Sequence, residues 1–186
     1  MRTFENAEIL RWIEGCRKDN RRAQYQLFKH YYSKMFGICM RYAGSREEAE
    51  DMLNEGFMKV FSNIGKYENT GSFESWMARV MVNAALDYRR KYIPKVTMAE
   101  LTEIEDCDEI GSDVNAALDR LTAESVTRLI QQLPPATRTV FNLFAFEGYS
   151  HAEIAARLGM SEGTSAWHVN AARTQLKKEI LKMNNL

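Results

Sequence analysis

The chain has 186 residues, of which 45% are hydrophobic, and its 25 Lys and Arg balance 25 Asp and Glu. That length suits one ordinary domain or two small ones, and the apolar fraction excludes disorder throughout. Three widely separated cysteines, Cys16, Cys39 and Cys107, exclude a disulfide framework and a CxxC metal or redox pair.

The N-terminal stretch carries Glu5, Glu8 and Arg11 and lacks the apolar core of a secretory signal. No later run reaches the ~18 apolar residues of a membrane span. A cytoplasmic protein without direct membrane insertion is expected.

In chain order, the first strong helical period runs from near Asp19 to about Tyr42, with Leu27, Tyr31, Met35, Ile38 and Tyr42 on one stripe. Gly44 ends it, and Ser45 with Glu48 forms a capping box for the next helix, whose first turn is acidic. That helix reaches about Asn63. Ala49, Leu53, Phe57, Val60 and Ile64 point to a core, which leaves Asp51, Asn54, Glu55 and Met58 on another side. A loop over residues 65–72 follows, and a further helix carries Phe73, Trp76, Met77, Val80 and Ala84 inward and ends in Arg89, Arg90 and Lys91. Residues 93–118 begin with a Pro94 break, hold much of the acid and show no sustained period, so they read as a linker.

The zero net charge hides an uneven distribution. Residues 1–95 hold 17 Lys and Arg against 12 Asp and Glu, residues 96–124 hold 1 against 9, and residues 125–186 hold 7 against 4. Two basic blocks therefore flank an acidic one, an arrangement suited to phosphate binding.

After the linker a helix through Val126 and Ile130 stops before Pro134, and Pro135 suits the first turn of the next, which ends near Gly148. Ser150 and Glu153 form a second capping box, with Ile154 and Leu158 a turn apart for burial. Gly159 closes that short helix, and Ser161 caps a last one running to about Lys182. A short helix, a glycine turn and a longer helix make the arrangement whose second helix enters the major groove of DNA. Its first turns, Glu162, Gly163, Thr164, Ser165 and Trp167, are the base-reading candidates, with backbone amides available to phosphate. A plain helical hairpin would need the same tight turn. The expected fold is all-α: two small helical domains, residues 1–92 and 119–186, joined by an acidic linker.

Taken together, the segments DNRRAQYQLFKHYY, SREEAEDMLNEGFMKVF, SFESWMARVMVNAALDYRRK and LPPATRTVFNLFAFEGYSHAEIAARLGMSEGT resemble, in order, those of the extracytoplasmic-function group of bacterial RNA polymerase sigma factors. The resemblance implies that residues 1–92 correspond to sigma region 2 and residues 119–186 to region 4. It implies that Asp51, Asn54, Glu55 and Met58 dock on the clamp helices of the polymerase largest subunit. It assigns −10 binding and melting to Lys66, Asn69, Arg79, Asn83, Arg89 and Arg90, around a pocket for a base flipped from the melted strand. It assigns −35 binding to Ser161, Glu162, Gly163, Thr164, Ser165, Trp167, His168 and Arg173. Core RNA polymerase with its flap, duplex and melted promoter DNA and an anti-sigma factor are the implied partners. The sequence departs from the family's usual pattern at Asn54, Ser165, Ala166, Trp167 and His168, and phosphate anchoring by this helix is expected either to be weaker or to shift toward Arg173, Lys177 and Arg157.

A helix-turn-helix regulator that binds duplex DNA without joining polymerase is the alternative. One built on a receiver domain would alternate strands and helices in its first half. An enzyme is not expected, because His30, His151 and His168 lie far apart without an HExxH, phosphate loop or nucleophile elbow. No catalytic residue, metal or cofactor is therefore assigned. His151, just past a cap, is expected to be exposed.

Overall fold

A helix that the charged N-terminus conceals comes first: α1, Ala7–Arg17, which buries Ile13 and Cys16 and turns Glu8, Arg11 and Glu14 outward. The computed structural model describes residues 7–68, 71–92 and 122–184. The linker at 93–118, with Cys107, lies outside the described residues, as does Asn69. Two units divide between Pro94 and Lys95, and the described residues form eight α-helices, one 3-10 turn and no strand.

In the N-terminal unit α1 turns tightly into α2, Arg21–Tyr42, where the Asn20 side chain accepts from the amides of Arg22 and Ala23 at 2.9 and 3.1 Å. The two helices approach closely at Gly15, where a Cβ would stand 2.5 Å from that of Ala23. Leu27, Tyr31, Met35, Cys39 and Tyr42 make the buried stripe of α2; Cys39 takes the place expected of Ile38, which is half-buried. Burial pushes the Cys39 thiol up to about 12 and that of Cys16 to about 11, which suppresses thiolate chemistry at both.

Helix α3, Arg46–Asn63, starts where the Ser45 hydroxyl accepts from the Glu48 amide at 3.2 Å. The Glu48 carboxylate closes the cap one residue earlier than expected, accepting from the Gly44 amide at 2.8 Å. A 3-10 turn, Ile64–Lys66, leads to the loop before α4, Phe73–Tyr92. Phe73, Met77, Met81, Ala84 and Ala85 are fully buried on α4, whereas Trp76 and Val80 are half-buried at its edge. Gly56 lets α3 and α4 meet, because a Cβ there would lie 2.2 Å from the Met81 sulfur. Each fully buried aliphatic side chain in this core contributes roughly 2 kcal/mol.

The C-terminal unit holds α5, Ala123–Gln131, α6, Pro135–Ala145, α7, His151–Leu158, and α8, Glu162–Asn184. Pro135 stands in the first turn of α6. Arg138, 5% exposed, donates from one Nη to the carbonyls of Gln131 and Leu133 at 2.5 and 3.0 Å, so α6 satisfies the open end of α5. Leu129 of α5 packs with Ile180 and Leu176 near the far end of α8.

Candidate nucleic-acid interface

The turn between α7 and α8 is built by three residues. Ser150 and Glu153 complete the capping box of α7, and hydrogen bonds from the Ser150 amide and hydroxyl hold the Glu153 carboxyl below its usual range. Gly159, at φ 70° and ψ 39°, ends α7 in the left-handed region that an L side chain strains to enter. Ser161 then accepts from the Thr164 amide at 3.0 Å and starts α8.

Two inward-facing polar contacts, one buried and one part-buried, fix α8 against its neighbours. His151 Nδ1 and Ser165 Oγ lie 3.0 Å apart across the α7–α8 crossing, and the imidazole stacks on Phe144 with ring centroids 4.7 Å apart. His168 Nδ1 lies 3.0 Å from Thr137 Oγ1 of α6, and Trp167 meets the His168 ring edge-on at 4.9 Å. Ser165 is 0% and His168 7% exposed. These two residues therefore leave the proposed DNA-facing set: both side chains point into the unit, and polar groups buried there need the partners they have. His151 is half-buried, where exposure was expected.

The opposite side of α8 is open. Ser161, Glu162, Gly163, Asn170 and Arg173 are exposed, and Ala166 and Trp167 are half-buried. Thr164 is half-buried, its hydroxyl paired with that of Ser161 at 2.8 Å. Asn170, which motif reading passed over, lies one turn beyond Ala166 and Trp167 on this side. The helical period from buried Ser165, Val169 and Ala172 would have placed it there. An Asn amide matches the donor and acceptor pair on an adenine edge in the major groove. The Arg173 guanidinium lies 5.7 Å from the Phe144 ring and that of Arg157 4.4 Å from Tyr149, so both cations rest on aromatic faces.

On the N-terminal unit, Ser75, Arg79, Asn83, Asp87 and Arg90 form one exposed edge of α4 at three- and four-residue steps. Lys66, at the end of the 3-10 turn, is exposed as well. Asp87 accepts from Lys59 at 2.7 Å and from Arg90 at 3.3 Å. Arg89 turns inward: it is 8% exposed and donates to the Tyr42 carbonyl at 3.1 Å, and burial lowers its pKa while nearby Glu48 opposes the shift. That removes it from the proposed promoter-contacting set and makes it a cap for the end of α2.

Asp51 and Asn54 are exposed on α3, Glu55 is half-buried, and Met58 is 69% exposed. The Tyr88 hydroxyl lies 3.4 Å from the Asp51 carboxylate, so α4 borders this surface. A large exposed methionine within a polar surface is a feature of adaptable protein interfaces. Among the described residues no group of His, Cys, Asp and Glu is arranged to hold a metal ion, and no helix is long and apolar enough to cross a membrane.

Residues 27–92 match the family model of sigma-70 region 2, and residues 123–176 match that of sigma-70 region 4. The chain belongs to the extracytoplasmic-function group of the sigma-70 family. Among curated relatives of this sigma factor, the RNA polymerase sigma-H factor of Pseudomonas aeruginosa is 29% identical over 177 residues, covering 90% of this chain and 91% of the relative. The ECF RNA polymerase sigma factor SigW of Bacillus subtilis is 27% identical over 180 residues, covering 92% and 96%. A solved structure of CnrH in complex with the cytosolic domain of CnrY is 20% identical with a TM-score of 0.46, covering 93% of this chain and 96% of that one. The region 2 match thus runs from within α2 to the end of α4, and the region 4 match from the start of α5 into the second half of α8.

Proposed function

We propose that this sigma factor binds core RNA polymerase through Asp51, Asn54, Glu55 and Met58 on α3 and directs it to promoters through two DNA-contacting surfaces. In this reading residues 1–92 act as region 2 and residues 119–186 as region 4, with 93–118 as the connection. The surface around Lys66, Arg79, Asn83 and Arg90, together with Asn69, which lies outside the described residues, acts on the −10 element and captures a base as the duplex opens; unstacking costs a few kcal/mol, which pocket contacts repay. The outer side of α8 meets the −35 element in the major groove, with Gly163, Ala166, Trp167 and Asn170 toward base edges and Arg173 toward phosphate.

The occurrence of both regional matches in one chain, each on its own helical unit, carries this reading. The sigma factor acts in the cytoplasm with polymerase, takes part in no catalytic step of its own, and is restrained by an anti-sigma partner. The family match supports these assignments.

Transcription in vitro with core polymerase on a promoter library tests the proposal. Start sites that depend on this protein are the expected result. A protein that binds duplex DNA but neither retains core polymerase in a pull-down nor yields dependent start sites would refute it.

A further inference from the structure

Helix α1 lies outside the region 2 match, which begins at residue 27, yet it reaches the loop between α3 and α4. Arg17 Nη2 donates to the Tyr67 carbonyl at 2.6 Å, while Nη1 pairs with the Glu14 carboxylate one turn back. The Arg17 side chain is 25% exposed, so this charge-assisted bond is partly shielded from water. Its acceptor is backbone, which fixes the course of the chain whatever side chain follows.

Tyr67 is held on its other sides as well. It is 4% exposed, and its ring lies 5.0 Å from Phe73 and 5.7 Å from Trp76 at the start of α4. Its hydroxyl donates to the Gly71 carbonyl at the far end of the loop. α1 is itself fixed by buried Ile13 and Cys16 and by the close approach of Gly15 to Ala23. Exposed Lys66 and Glu68 flank the clamped residue on either side.

We propose that Arg17 is a positioning residue that holds Tyr67, and with it the flanking Lys66 and Glu68, ready for a base extruded from the promoter, an inference that rests on the sigma-factor reading. Backbone fixed at Tyr67 in advance spares the entropy of fixing it when the base arrives. Losing the anchor should therefore impair strand opening and leave polymerase attachment intact.

The test uses the full chain with Arg17→Met, which keeps the aliphatic stem without the donors, and Arg17→Lys, which restores one donor. Amide hydrogen exchange around Tyr67 should quicken about tenfold in Arg17→Met, with the amides in the middle of α2 and α3 unchanged. On the promoter recovered from the library, Arg17→Met should initiate several-fold less well on duplex template and normally on the same template with its start region pre-melted. Core-polymerase affinity should hold, and Arg17→Lys should recover part of both signals. Unchanged loop exchange would overturn the anchor, and equal loss on both templates, or none on either, would overturn its link to melting. Wild-type protein inactive on every template would instead refute the sigma-factor reading, and with it the link to melting, while the exchange measurement would still decide the anchor.

Discussion

Thr137 Oγ1 and His168 Nδ1 lie 3.0 Å apart in the interior of the C-terminal unit, joining α6 to α8. Burial holds the His168 imidazole below its ordinary range. With the folded pKa depressed, the unfolded chain takes up this proton first as pH falls. Stability from this site is full above about pH 6.5, declines below it, and is fully lost once pH passes the folded-state pKa. Between about pH 7.5 and about pH 5.5, the thermal midpoint of the wild type should fall more than that of His168→Gln. Equal falls in the two proteins would rule out His168 as the source.

Adjacent arginines on α4 should respond differently. Arg89→Met loses the bond to the Tyr42 carbonyl and should cost about 1.5–3 kcal/mol in denaturant unfolding. Arg90→Met breaks an exposed ion pair with Asp87, so its effect on stability should be under about 1 kcal/mol. Its effect should appear in promoter opening, with a weaker salt dependence than the wild type. A destabilised Arg90→Met would contradict the assignment.

Gly56→Ala should destabilise the N-terminal unit by about 1–3 kcal/mol, because the new methyl meets the Met81 sulfur in a filled interior. Gly56→Ala combined with Met81→Leu, which shortens the obstructing side chain, should recover part of that loss. Thermal melts of the single and double variants decide this, and additive losses would show that the contact with Met81 is not the cause.

Met58→Ala should weaken capture of core polymerase by roughly tenfold while leaving the melting temperature in place, since the side chain is 69% exposed. Quantitative pull-down against wild type measures the first effect and calorimetry the second. A variant that binds polymerase normally would move the docking surface elsewhere.

Asn170→Ala and Arg173→Ala should part in promoter-library transcription. The first should relax preference at one base position by about 1–3 kcal/mol, and the second should weaken all promoters alike and lower the salt slope by about one. If Asn170→Ala leaves the preferred sequence intact, α8 does not read bases at that position.

Much of the architecture was legible because its signals are local. Pro135, the Ser150 and Glu153 pair, Gly159 and Ser161 each act within four residues of where they stand, and the structure places the helix ends accordingly. What escaped depends on partners distant in sequence. Arg89 reads as a basic surface residue until Tyr42, 47 residues earlier, supplies its acceptor. Ser165 and His168 look outward by type, yet His151 and Thr137 draw them inside. α1 was missed for a related reason: a short helix broken by charges is marginal alone and gains its stability from packing on α2.

The two sides of α8 separate inheritance from novelty. Ser165, His168, Val169 and Ala172 face partners on which folding depends, so change there is penalised whatever promoter is read. In the proposed reading, Gly163, Ala166 and Asn170 answer chiefly to the DNA. A lineage can rewrite those three positions and acquire new target genes while the scaffold beneath them stays the same.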